Sequence, residues 1–75
     1  MNKQTRKSVA IAAESIRSII NDLESIRDDE QEKMDNMPEN LQMSERYEAM
    51  EAAVDALENA ITSLEDAADS LEEIS

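Results

Sequence analysis

"YEAMEAAVDALENAITSLEDAADSL", Tyr47 to Leu71, decides the fold. Tyr47, Met50, Val54, Leu57, Ile61, Leu64, Ala68 and Leu71 recur in it at alternating spacings of three and four, the stripe of an amphipathic helix or a coiled-coil seam. With Tyr47, Val54, Ile61 and Ala68 at heptad position a, Met50, Leu57, Leu64 and Leu71 fall at d. The same phase is a literal repeat, LENAITS, LEDAADS, LEEIS, in which Leu-Glu returns every seven residues. A period that short is a heptad and not a solenoid module. Ala53, Ala60 and Ala67 run alongside and widen the stripe with small residues, so a further helix can approach closely and a bundle is favoured over a two-stranded seam.

Toward the N-terminus a second helix is legible, though less regular. Val9, Ile16 and Leu23 share one heptad position and Ala12, Ile19 and Ile26 the next, with Ala13 and Ile20 beside them. The stripe stops near Arg27, because "RDDEQEK" puts Glu30 and Lys33 where apolar residues would continue. The helix itself continues there as a solvated segment, since Glu, Gln and Lys are good helix formers and no Gly or Pro interrupts. "VAIAA", Val9 to Ala13, is apolar on every face and must be covered all round. Val9, Ile11, Ala12, Ile16 and Ile20 are therefore the candidate contact surface between subunits.

Between the two helices stands the only Pro, Pro38. It cannot continue a helix from the preceding turn and pushes Met37 toward extended geometry. It can open a short turn of its own, with Asn36 or Met37 as cap. Ser44 is the best cap for the second helix, with Glu45 and Glu48 in the first turn, where the helix dipole favours negative charge. The expected architecture is all-α: one domain over residues 1–75, with helix 1 at about 4–35, a connection at about 36–43 and helix 2 at about 44–73. The helices form an antiparallel, coiled-coil-like hairpin. Two or more hairpins assemble into a homo-oligomeric helix bundle, because 75 residues bury little surface alone and self-association is the remaining reinforcement.

Other reinforcements are closed off by composition. Without Cys or His there is no disulfide, and a transition-metal site would rest on carboxylates alone. The basic start and short apolar run at the N-terminus are broken by Glu14 and Arg17 before a signal-peptide core is complete. No run approaches the roughly 20 apolar residues that cross a bilayer. A cytoplasmic protein with no membrane partner is the expectation.

Charge is the strongest compositional signal: 7 basic against 19 acidic side chains, formally −12. Met1 to Arg27 holds five basic and three acidic residues, whereas from Asp28 onward only Lys33 and Arg46 oppose sixteen carboxylates. Folding back sets the basic beginning beside the acidic end and so selects the antiparallel arrangement. The excess of negative charge argues against direct nucleic-acid binding.

No enzyme is expected. The chain lacks a His for acid-base work, a Cys nucleophile and a Gly-rich loop to cradle phosphate. Its carboxylates sit mostly on solvent faces, where no environment separates their pKa values. "RDDEQEKMDN" lacks the Gly turn and ligand order of an EF-hand. No cofactor, metal or catalytic residue is assigned. Met50 reads as core, and Met34, Met37 and Met43 as thioethers filling the irregular closed end of the hairpin, or else as an adaptable contact surface. Tyr47, the only aromatic, either plugs that end while Arg46 bridges a neighbouring acid, or pairs with Arg46 as a stacking and anion-binding site. Asn36, Asn40, Gln42, Arg46 and Tyr47 are the candidate ligand or partner site, and Lys3, Arg6, Lys7 and Arg17 the candidate anion contacts.

The order "DDEQEKMDNMPENLQMSERYEAMEAAVDALENAITSLEDA", with its distinctive run "NMPENLQ" followed by "SER", resembles small acidic helical proteins of bacteriophages and prophages of Gram-positive bacteria. The similarity covers about Ile16 to Leu71. It implies a phage accessory protein acting in the host cytoplasm and carries over no catalytic or binding residue. Three functions follow as expectations. The chain binds and masks a host factor, antagonising host defence, with its acidic flank imitating a phosphate backbone. Alternatively, an oligomeric sponge sequesters a nucleotide immune signal, or the chain is a virion structural or assembly protein.

Overall fold

A computed structural model describes all 75 residues and shows two long helices packed against each other. Helix α1 runs Lys3–Asp35, a 3-10 turn covers Glu39–Leu41, and helix α2 runs Glu45–Ile74. Each boundary has a local cause. Asn2 caps α1: its Oδ1 accepts a hydrogen bond from Thr5 N–H at 2.8 Å, satisfying one of the donors that a helix start leaves unpaired. Asn36 closes the same helix, donating its N–H to Glu32 O at 3.0 Å, two residues before Pro38 forbids continuation. Ser44 caps α2 by accepting from Tyr47 N–H at 3.2 Å. Pro38 itself is the flanking residue of the short turn, at φ −57 and ψ 145. That corrects its assignment as the turn's first residue behind a cap at Asn36 or Met37.

The connection is held although it contains no Gly. Leu41 N–H donates to Pro38 O at 2.9 Å and Ser44 N–H to Leu41 O at 3.1 Å. The Gln42 side-chain amide reaches back to Met37 O at 3.2 Å. A loop so bonded fixes where α2 starts and hence the register of the two helices.

The seam on α2 is the expected one. Val54, Ile61 and Ala68 are buried, and Tyr47, Met50, Leu57, Leu64 and Leu71 are half-buried. On α1 the seam differs from the sequence reading in two ways. Its second row is Ala13 and Ile20, both buried, and not Ala12, Ile19 and Ile26, which are exposed. Nor does it stop at Arg27. Arg27 and Glu30 are half-buried, Met34 is buried and Met37 half-buried, which continues the alternation of three and four unbroken from Val9. The aliphatic stems of Arg27 and Glu30 can line an apolar seam while their charged ends reach water, so a charged residue at a heptad position interrupts hydrophobicity without interrupting packing. In heptad terms α1 carries Ala13, Ile20, Arg27 and Met34 at a, and Val9, Ile16, Leu23, Glu30 and Met37 at d.

The outcome is a rod with Cα extents of 59 × 14 × 13 Å. Only six residues are buried, which is the thin core of two helices sharing one seam.

Candidate functional site

Five residues at the closed end were the sequence candidates for a ligand or partner, and the fold does not gather them into a cleft. Asn36 and Asn40 are exposed, and the molecule has no cavity. Gln42 is occupied in holding the connection through Met37 O. Tyr47 lies half-buried in the seam. Arg46 is exposed and bridges no acid, so the expected ion pair with Glu39 or Glu45 does not form. Met34 and Met37 pack the end of the seam, but Met43 is 88% exposed and fills nothing. It stands at the closed end with Leu41, also exposed.

The candidate anion contacts divide. Lys3, Arg6 and Lys7 occupy the first turns of α1, exposed and free of ion pairs. Positive charge there opposes the helix dipole, so helix formation does not account for it. Arg17 is committed elsewhere. Its Nη2 donates to Asp69 Oδ1 at 2.6 Å and Glu72 Oε1 at 2.8 Å, and its Nε to Glu72 Oε2 at 3.2 Å, a forked arrangement that only Arg can make. Donating to Glu72 and Asp69 raises the Arg17 pKa further. Hydrogen bonding to Arg17 holds the Glu72 carboxyl below the usual carboxylate range. These are the only ion pairs between the helices. Because α2 ends five residues after Asp69 and two after Glu72, they also show that the first turns of α1 project past α2. Met1–Ser8 are exposed throughout.

This bridge fixes the sidedness of the hairpin. Arg17 and Glu72 both occupy heptad position e, and reversing one helix against the other puts their e rows on one side of the seam and their g rows on the opposite side. The e side is charged. On α2 every e residue is Glu (Glu51, Glu58, Glu65, Glu72), interleaved at b by Glu48, Asp55 and Asp69. Successive carboxylates in that double row are spaced by about 5 Å along the helix at 1.5 Å per residue, with one gap at Thr62. Only Asp69 and Glu72 have a basic partner. The sequence carried the signal in its Leu-Glu repeat, where each Glu follows a seam Leu and must fall on one flank.

The g side is uncharged over most of its length. It holds Ala12, Ile19 and Ile26 from α1 and Ala53, Ala60, Ala67 and Ile74 from α2, all exposed. The candidate subunit contacts are therefore split by the fold. Val9, Ile16 and Ile20 are used within the hairpin, whereas Ile11 and Ala12 remain outside. No three acidic side chains converge as a metal site, and no helix is long and apolar enough to cross a membrane. No protein-family model, curated protein or solved structure matches the chain.

Proposed function

We propose that the chain is a non-enzymatic accessory protein of phage origin that binds a basic surface of a host protein and masks it, in the host cytoplasm and at the expense of a host defence component. One observation carries this reading: the double row of carboxylates on the e side of α2, of which Glu48, Glu51, Asp55, Glu58 and Glu65 have no basic partner. A fixed line of negative charge about 5 Å apart is on the scale of the phosphates of a nucleic-acid strand, about 3.4 Å of axis apart. Such a row fits a groove lined with Lys and Arg and speeds encounter with it. The row lies on one continuous helix, so little backbone order is lost on binding.

The test is affinity capture from host lysate on the immobilised full chain at about 0.15 M salt, an ionic strength that screens beyond about 8 Å. The wild type is compared with the Glu51→Gln, Glu58→Gln, Glu65→Gln variant. The expected result is a nucleic-acid-binding protein retained by the wild type, released by duplex DNA and lost from the variant. Retention of no basic protein, or equal retention on the variant, overturns the reading. Sequestration of a nucleotide signal has a narrower basis in the free charges of Lys3, Arg6 and Lys7. Calorimetric uptake of a cyclic nucleotide or an ADP-ribose derivative would favour it over masking.

A further inference from the structure

We propose that two copies of this chain associate through their g sides into an antiparallel four-helix bundle, the closed end of each hairpin lying beside the open end of the other. The face is apolar beyond what exposed positions require. Ile19, Ile26 and Ile74 are 48%, 52% and 47% exposed, and they share it with Ala12, Ala53, Ala60 and Ala67. On α2 the adjoining c row, Ala49, Ala56, Ser63 and Ser70, adds no charge. Small side chains let helices approach closely, and Ile supplies the apolar area.

A second copy is the occupant for three reasons. First, the size is right. Two helices side by side, about 22 Å across and apolar over about 30 Å, offer on the order of 700 Å², against about 800 Å² per partner in a standard interface. Second, six buried residues make a smaller core than a chain of this length needs alone, and stacking two hairpins supplies the missing layer. Third, the charge of the two ends favours one orientation. The closed end, residues 28–48, holds eight carboxylates against Lys33 and Arg46, whereas at the open end Lys3, Arg6 and Lys7 offset the acids that finish α2. An antiparallel pair keeps the two acidic closed ends apart, and a parallel pair sets them together. The glutamates of the e side point away from this contact, so dimerisation leaves the masking surface free. Asp22 and Asp29, on the c row of α1, stand at its rim.

Light scattering on the full chain at about 100 μM gives the mass, and spin labels at Met43→Cys give the orientation. The chain has no Cys of its own, and Met43 is exposed at the closed end. The expected result is a dimer with a label separation on the order of the rod's 59 Å length. The Ile19→Glu, Ile26→Glu variant should raise the dimer dissociation constant at least tenfold, whether its monomer stays helical or not, and Lys3→Glu, Arg6→Glu, Lys7→Glu should raise it as well. A monomeric wild type, an unchanged dimer in the Ile variant, or labels within about 25 Å, roughly two helix diameters, would overturn the proposal.

Discussion

Arg17 is the one side chain that ties the two helices together by charge, and it does so with both oxygens of Glu72 and one of Asp69. The groups are exposed, so solvent screens the bridge and its main effect is on orientation and register. A pH signature follows. Glu72 is held below its ordinary range in the folded chain; its pairing contributes stability above the ordinary carboxylate range, lost as pH falls through the depressed folded value. The melting-temperature difference between wild type and Glu72→Gln is accordingly expected to be present at neutral pH and to vanish in strong acid. A difference that persists there contradicts the assignment. Two further residues calibrate the packing. Ile61→Ala, at 5% exposure, should cost about 2–5 kcal/mol in urea unfolding. Met43→Ala, at 88% exposure, should stay within about 0.5 kcal/mol.

At the scale of elements, pairing offsets a fault that each helix carries alone. Neither helix places its charges well at the open end: α1 starts with Lys3, Arg6 and Lys7, and α2 finishes with Glu72 and Glu73, both against the dipole. Antiparallel pairing brings those unfavourable ends to the same end of the rod, where opposite signs attract. The seam of α2 was legible residue by residue because its stripe is apolar at every heptad. That of α1 was only half legible. Two candidate rows, Ala12/Ile19/Ile26 and Ala13/Ile20, lie one residue apart, and a single sequence does not say which faces α2; the register fixed by the connection and the Arg17 bridge does. The continuation past Arg27 was hidden for a different reason, since hydropathy counts the charge of Arg27 and Glu30 and misses their stems. Met34 tests that continuation directly. Met34→Ala should cost about 2–5 kcal/mol, as for any seam residue, whereas a seam ending at Arg27 would leave the change within about 0.5 kcal/mol. The closed-end polar cluster was legible as composition and not as a site, because proximity in sequence placed one amide on the connection's own backbone and left the others facing water.

The whole molecule is a two-sided rod. Its Cα radius of gyration is 17.2 Å, where a compact chain of 75 residues would have about 11 Å, so most side chains face outward. One flank bears the carboxylate row and the other the Ile and Ala surface, and a single hairpin register produces both. Self-association through one flank and host-protein masking through the other are then compatible in one particle. The claim that the rod acts on a protein and not on a metabolite is tested most directly by native mass spectrometry of the full chain recovered from host-cell lysate. The account predicts an even number of copies carrying a basic polypeptide, with the Glu51→Gln, Glu58→Gln, Glu65→Gln variant recovered bare. A nucleotide-sized adduct on the chain, with no polypeptide partner, would contradict it.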